Sequence, residues 1–429
     1  MEDIWLRGAV DLAELIRTRG VSSLEVLQEF LQRIDAVNPT INAVVAFARE
    51  RALEEARAAD VALAQEHALG PLHGVPFTAK DAFDTEGVET SVGLPERVGV
   101  VPKEDAVAVV RMRRAGAILI GKTNVPSGAS GGVTENPIHG RTSNPYDPAR
   151  SPAGSSGGEA ALQGAGGSPV GLGSDSGGSL RVPAHYCGVA ALKPTSGRIP
   201  NTGVLDHPGG LSDNRTQIGP LSRFVQDLAP ILRILAGPDH RDSGVVPISL
   251  DDPEAIELRR LRVAFYTDDG DTPTTPETAS AVRDAAGALR AAGARADELC
   301  PEGIGRNALE ISQRYWRWDE LPGGESTRLL ADWDRFRTQM LAFMESYDII
   351  VCPTAPGPAA RHGEGVETMF HYTLPFSLTG QPCAVVPAGW SGELPIGVQV
   401  VGRVWREDAV IAAARHIEAA IGGWRRPSI

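Results

Sequence analysis

The stretch that decides the fold spans residues 151–194 and reads SPAGSSGGEAALQGAGGSPVGLGSDSGGSLRVPAHYCGVAALKP. Serine and glycine concentrate in two clusters within it, at 154–158 and 174–179. Glycine admits backbone conformations that other residues avoid and lets a ligand approach the main chain, and each serine supplies a hydroxyl that donates, accepts or attacks. The apolar residues between the clusters, such as Leu162 and Leu172, argue against a disordered Gly/Ser linker. We therefore predict folded, partly buried loops built for chemistry.

The bulk composition is that of a globular chain without a charged binding face. Its net charge is -13, and no tract of Lys or Arg offers the basic surface that nucleic acid or an anionic membrane requires. No window resembles a signal peptide or reaches the roughly 18 uncharged apolar residues of a spanning helix. We expect a cytoplasmic protein with neither a nucleic-acid nor a membrane partner.

The cysteines and histidines do not indicate a metal or redox site. Four widely spaced cysteines lie in or beside apolar sequence, which is typical of buried free thiols: Cys187, Cys300, Cys352 and Cys383. The nine histidines are scattered and form neither H-x-x-x-H nor H-E-x-x-H. We expect no metal and no cofactor.

Strand-like and helix-like segments alternate along the chain. Ser22 and Glu25 form a capping box that opens an amphipathic helix, which we expect to end before Pro39. Further elements are a helix over 105–115, a strand over 117–120, a strand over 261–266, a helix over 276–292 and a strand over 348–352. This alternation predicts an α/β fold with a twisted, mixed, mostly parallel β-sheet covered by helices on both faces. We expect residues 1–429 to form a single large domain.

One motif suggests nucleotide hydrolysis. Residues 116–123, GAILIGKT, satisfy the P-loop pattern G-x-x-x-x-G-K-[ST]. A P-loop follows a strand and turns its own amides toward phosphate, whereas here the strand occupies the loop itself. We interpret Lys122 as a structural residue or one near a pocket.

A second motif suggests an α/β-hydrolase esterase. Residues 154–158, GSSGG, match the nucleophile elbow G-x-S-x-G with Ser156 as the nucleophile. The elbow needs a hydrophobic strand directly before it, but Pro145, Pro148 and Pro152 make 142–153 unsuitable for a central strand. The esterase remains an alternative function.

Lys80 is a candidate general base. Apolar neighbours in GVPFTAKDAFDTEG (74–87) favour a desolvated site, where the pKa of a lysine falls and a neutral amine becomes available. The alternative is a surface lysine that pairs with Asp81 or Asp84. Lys80, Ser155 and Ser179 together form a further candidate site.

Six blocks of this chain resemble those of the amidase signature enzymes, in the same order. They read GVPFTAKDAFDTEG, GAILIGKTNVP, SNPYDPARSPAGSSGGEAAL, GLGSDSGGSLRVPAHYCGVAALKPTSGRIP, TQIGPLSR and LPIGVQVVGR. The similarity covers nearly the whole chain and is weakest over 237–361. It implies a catalytic signature core over 60–225 and a more variable helical, substrate-covering region over 236–345.

The resemblance implies a Ser-Ser-Lys triad. Ser179 is then the acylated nucleophile, Ser155 the bridging serine that follows a cis peptide bond after Gly154, and Lys80 the base. The backbone N–H groups of Ser176, Gly177, Gly178 and Ser179 form the oxyanion hole, and Ser156, Asp175 and Arg181 support them. Glycines directly before a serine also suit an oxyanion hole on physical grounds, because no side chain obstructs the converging N–H groups.

The substrate pocket is less well defined by the sequence. The small-residue run SGASGG (127–132), which contains the candidate pocket residues Ser127, Gly128, Ala129 and Ser130, lies where relatives line the acyl pocket, and a tight turn explains it equally well. Aromatic residues suited to the opposite wall, or to the core, are Tyr315, Trp316, Trp318, Phe370, Tyr372 and Phe376.

The resemblance implies an amidase that hydrolyses a carboxylic acid amide to the acid and ammonia or an amine. The expected partners are a small-molecule amide and, in a homodimer, a second copy of the chain. The alternative from another class is the amidase subunit of a glutamine-dependent tRNA amidotransferase.

Overall fold

The computed structural model describes residues 3–67, 70–205 and 215–429. The strands in these residues are β1 (Val44–Phe47), β2 (Pro76–Lys80), β3 (Ile118–Thr123), β4 (Glu135–Asn136), β5 (Gly140–Arg141), β6 (Val170–Asp175), β7 (Ala190–Lys193), β8 (Gln217–Ser222), β9 (Arg262–Phe265), β10 (Arg295–Glu298), β11 (Ile349–Pro353), β12 (Cys383–Ser391) and β13 (Leu394–Gly402). The helices are α1 (Ala9–Arg17), α2 (Ser23–Ile41), α3 (Arg49–Ala64), α4 (Val107–Arg114), α5 (Gly157–Gly164), α6 (Arg181–Tyr186), α7 (Leu228–Leu235), α8 (Pro276–Ala291), α9 (Ile304–Trp316), α10 (Glu325–Ser346), α11 (Leu374–Leu378) and α12 (Glu407–Ile421).

Eleven of the described strands form one mixed sheet, in the order β1-β3-β2-β6-β8-β7-β12-β13-β11-β9-β10. Parallel pairing occurs in two blocks, β3–β2–β6 and β11–β9–β10. The pairs between these blocks are antiparallel, because β8 and the β12–β13 hairpin reverse the chain there. The expected α/β domain with a large mixed sheet is confirmed, and its parallel pairing lies in these two blocks.

Helices flank the sheet, and its central strands are buried on both faces. Every residue of β2, β6, β8 and β13 is buried, with none of the alternation of a half-exposed strand. A second hydrophobic cluster lies where α9, α10 and α11 pack on β11. Cys187, Cys352 and Cys383 are buried and Cys300 is half-buried; all four are free thiols.

Helix α2 begins as expected. The Ser22 hydroxyl accepts a hydrogen bond from the Glu25 amide at 3.1 Å, and the Glu25 carboxylate accepts the Ser22 amide at 2.8 Å. The expected end before Pro39 is wrong, because the helix continues to Ile41. A proline in the last turn removes only one hydrogen bond, and Asn42, with φ at 49°, ends the helix.

The segment 236–345 is less purely helical than expected. Besides α8, α9 and α10, it supplies β9 and β10 at one edge of the main sheet. No helix in the described part of the chain is long and apolar enough to cross a membrane.

We predict that Ser22→Ala lowers the free energy of unfolding by about 1 kcal/mol, because the Glu25 amide loses its acceptor. Urea unfolding followed by circular dichroism measures the change. Ser280→Ala on the exposed face of α8 is the matched control, where alanine is neutral or slightly stabilising. Equal effects of the two substitutions would contradict the role of the cap.

Candidate active site

Lys80 is the last residue of β2, and it lies in the interior at the carboxyl end of the sheet. Its side chain is fully buried. Its Nζ donates to Ser155 Oγ at 2.7 Å and to Ser174 Oγ at 2.9 Å. Ser174 belongs to β6, which runs parallel to β2 as its direct neighbour, so the two strands end side by side. The carboxyl ends of parallel strands are where α/β proteins place their ligand sites.

Burial lowers the pKa of Lys80 to about 7, although the nearby Asp175 charge acts to raise it. A substantial fraction of this amine is therefore neutral near pH 7. The alternative in which Lys80 pairs with Asp81 or Asp84 on the surface is wrong, because its two polar partners are buried hydroxyls.

The partner of Asp81 is instead Lys122, the lysine of the P-loop-like motif. Its Nζ lies 3.2 Å from Asp81 Oδ1 and donates to Phe83 O at 2.7 Å and Thr90 Oγ1 at 2.9 Å. Lys122 is fully buried within β3, which occupies the residues that a phosphate loop would need. The motif is therefore structural.

The first Ser/Gly cluster forms the turn that leads into α5. The peptide bond between Gly154 and Ser155 is cis. The Ser156 hydroxyl donates to Ser174 O at 3.1 Å, and the Ser156 amide donates to Ser179 O at 3.2 Å. Ser156 therefore connects the two clusters, and this backbone bond brings Ser155 close to Ser179.

The second cluster forms a loop, residues 176–179, between β6 and α6. Among the described residues, no acceptor meets the backbone N–H groups of this loop. Gly178 has φ at 144°, and a Cβ built on it would lie 2.2 Å from Thr373 Oγ1. Only glycine fits this position. Ser179 is half-buried, so the loop presents a serine together with these backbone donors.

A buried ion pair fixes this loop at its base. Arg181 donates from Nε to Asp175 Oδ2 and from Nη2 to Asp175 Oδ1, each at 2.9 Å. The same carboxylate accepts the amide of Leu180 at 3.1 Å, which turns the chain into α6. Burial would raise the pKa of Asp175, but the Arg181 charge and these hydrogen bonds outweigh it and lower the pKa.

The remaining donors of Arg181 connect the loop to distant segments. They reach Thr373 O and Gln399 Oε1, each at 2.8 Å, and Ser377 Oγ at 2.7 Å. Sequence reasoning identified Asp175 and Arg181 but missed Ser174 as the second partner of Lys80. Its place in the second Ser/Gly cluster, at the end of a buried strand, is the signal that points to it.

Only part of the expected pocket lies beside the turn that carries Ser155. Ser127 and Ser130 are exposed, and a Cβ built on Gly128 would meet no atom within 4 Å. The end of the same run approaches more closely, since a Cβ built on Gly154 would lie 2.9 Å from Gly131 O. This backbone contact places the residues after Ser130 beside the Ser155 turn.

The expected wall residue Phe376 lies in the core. It is fully buried in the second hydrophobic cluster, because the short helix α11 packs it inward, and Tyr372 is 1% exposed beside it. Two other aromatic residues reach the 176–179 loop. A Cβ built on Gly177 would lie 3.6 Å from Trp316 Cζ2, and one on Gly178 would lie 2.6 Å from Phe370 Cδ1.

A family model described as amidase matches residues 25–317 and 326–411. The chain belongs to the amidase signature family. It is 35% identical over 460 residues to an indoleacetamide hydrolase from Bradyrhizobium diazoefficiens, covering 98% of this chain and 87% of that protein. It is 32% identical over 483 residues to a glutamyl-tRNA(Gln) amidotransferase subunit from Moorella thermoacetica, covering 99% of this chain and 98% of that protein.

A solved structure of 6-aminohexanoate cyclic dimer hydrolase with its substrate superimposes with a TM-score of 0.86 at 30% identity, covering 99% of each chain. Membership in the amidase signature family confirms the resemblance found in the sequence. It makes the protein an amide hydrolase, an enzyme that cleaves carbon–nitrogen bonds. No group of three or more His, Cys, Asp or Glu side chains within residues 3–67, 70–205 and 215–429 is arranged to hold a metal ion.

We predict that Asp175→Asn destabilises this amidase by about 3 kcal/mol or more, because it leaves the buried Arg181 charge uncompensated. Chemical unfolding followed by intrinsic fluorescence measures the loss. The matched control is Asp252→Asn, which breaks an exposed pair with Arg233 and costs less than about 1 kcal/mol. An unchanged unfolding midpoint for Asp175→Asn would show that the pair does not hold the loop.

Proposed function

We propose that this protein hydrolyses carboxylic acid amides through a seryl acyl-enzyme, with Ser179 as nucleophile, Ser155 as proton relay and Lys80 as base. The observation that carries the proposal is the 2.7 Å hydrogen bond between Lys80 Nζ and Ser155 Oγ. A buried lysine with a pKa of about 7 supplies the neutral amine that a base requires.

In the acylation step, the Ser179 oxygen attacks the amide carbonyl carbon. Its proton passes to Ser155 while the Ser155 proton passes to Lys80. Ser155 then donates a proton to the amide nitrogen while Lys80 returns a proton to Ser155, the carbon–nitrogen bond breaks and the amine leaves. Water repeats the sequence on the acyl-enzyme and releases the acid, so no histidine needs to take part.

The negative charge that develops on the carbonyl oxygen requires donors at fixed positions. The N–H groups of Ser176, Gly177, Gly178 and Ser179 are suited to this role, because no acceptor among the described residues uses them. Losing one such donor typically costs about 3 kcal/mol of transition-state stabilisation. Asp175 and Arg181 hold the loop in place before substrate arrives.

A second candidate function is the amidase subunit of a glutamine-dependent tRNA amidotransferase. The 32% identity to such a subunit over 99% of this chain favours it. The two functions differ in one measurable property. As a stand-alone amidase, the purified chain releases ammonia from simple amides without a partner, whereas a subunit requires its complex. Size-exclusion chromatography of the active fraction tests the homodimer at the same time.

We predict that Ser179→Ala lowers kcat for amide hydrolysis on the order of 10³-fold or more, because no acyl-enzyme forms. It also abolishes covalent labelling by a serine-directed phosphonate, located by mass spectrometry of the peptides. The control is Ser127→Ala, an exposed serine, which retains both properties. Labelling at Ser156 instead would support the esterase mechanism and overturn the assignment.

We predict that kcat/KM falls about tenfold per pH unit below pH 7, because protonated Lys80 cannot accept the relayed proton. Initial rates between pH 5 and 9 measure the profile. Glu159 is the control, because burial raises its pKa to about 7 as well. Glu159→Gln keeps the ascending limb if Lys80 causes it. A flat wild-type profile, or loss of the limb in Glu159→Gln, would count against Lys80 as base.

A further inference from the structure

The half-buried loop at 176–179 has an exposed tryptophan beside it. Trp316, the last residue of α9, is 54% exposed. Its Cζ2 atom lies 3.6 Å from a Cβ built on Gly177, and Leu374 Cδ2 lies 3.4 Å from the same point. A single exposed apolar residue is ordinary, whereas a contiguous apolar patch marks a binding face, so the neighbours of Trp316 decide what its ring indicates.

Phe370 supplies a second aromatic ring, beside the next residue of the same loop. Its Cδ1 atom lies 2.6 Å from a Cβ built on Gly178, and its Cε2 atom lies 3.1 Å from one built on Gly132. The ring therefore spans the space between the 176–179 loop and the end of the small-residue run. Glycine at both positions leaves room for this ring, which also packs against both hydrophobic clusters.

The Trp316 end of α9 is anchored to the 176–179 loop. The buried Arg215 guanidinium lies 4.6 Å from the Tyr315 ring and 5.6 Å from the Trp316 ring, and its Nη2 donates to Ser176 O at 3.0 Å. The Tyr315 ring packs edge-on against Trp333 at 5.4 Å. These contacts fix the position of an exposed ring, as a preformed binding surface requires.

The proton path decides which part of an amide faces this surface. Ser155 must return its proton to the leaving amine, so the amine lies toward Ser155 and the Gly131 backbone that touches the Ser155 turn. The acyl group then extends away from Ser155, toward Gly177 and Trp316. This step rests on the proposed function.

We propose that Trp316 and Phe370 form an aromatic slot for the acyl group, and that the enzyme selects amides whose acyl group ends in a flat aromatic ring. Aromatic rings attract one another in offset or edge-to-face arrangements beyond the gain from buried area. A puckered ring of equal size gains only the area contribution. Flatness, rather than hydrophobicity alone, is the property that this slot selects.

The test compares phenylacetamide with cyclohexylacetamide, which differ in flatness at nearly equal size. We expect the wild type to favour phenylacetamide in kcat/KM, and Trp316→Ala to reduce that preference about tenfold. Trp316→Phe should retain most of it. The matched control is Phe47→Ala, which removes a 39% exposed aromatic ring from the edge strand β1; it should leave the preference unchanged.

An equal loss on both substrates in Trp316→Ala, or an unchanged preference, would overturn the slot. Acetanilide carries its ring on the amine. If Trp316→Ala lowers kcat/KM more for acetanilide than for phenylacetamide, the acyl assignment is overturned. Calorimetric binding of phenylacetamide to Ser179→Ala, with and without Trp316→Ala, separates the two proposals. If Ser179→Ala stays active, the proposed mechanism fails, but the binding measurement still tests the slot. A binding constant for phenylacetamide weakened about tenfold by Trp316→Ala supports the slot, and an unchanged constant overturns it.

Discussion

The structure depends on one buried ion pair, between Asp175 and Arg181. Removing two charges from water is expensive, and their attraction offsets that cost only when the remaining donors are also satisfied. All of the guanidinium donors of Arg181 have partners, in β6, β13 and the residues around α11. The loop that carries Ser179 is thus fixed from outside, while its own amides meet no acceptor in the described part of the chain.

The same pair helps to keep part of the Lys80 amine neutral near pH 7. The Asp175 charge acts to raise the pKa of Lys80, but burial lowers it more strongly. Because Arg181 holds both carboxylate oxygens, Lys80 is left with two serine hydroxyls, and desolvation dominates its titration. Lys122 is also a buried lysine, but it has a carboxylate partner, Asp81, and its role is structural.

Local patterns predicted much of the fold and the candidate triad. The capping box at Ser22, the helix expected over 276–292 and the Ser/Gly clusters are short-range signals, and the structure contains each. Failures arose where packing decides the outcome. The five-residue helix α11 is too short for its periodicity to reveal a buried face, so the sequence alone favours Phe376 as a pocket residue. The antiparallel centre depends on the late β12–β13 hairpin, which the alternation of elements does not reveal.

The candidate catalytic residues and the proposed aromatic slot lie in separate segments of the chain. Lys80, Ser155 and Ser179 lie within one sheet-centred stretch, whereas Trp316 and Phe370 come from α9 and from the turn before α11. Gly177 and Gly178 offer no side chain of their own to vary. Substitutions at Trp316 or Phe370 can therefore change the substrate range in small evolutionary steps while Lys80, Ser155 and Ser179 stay in place.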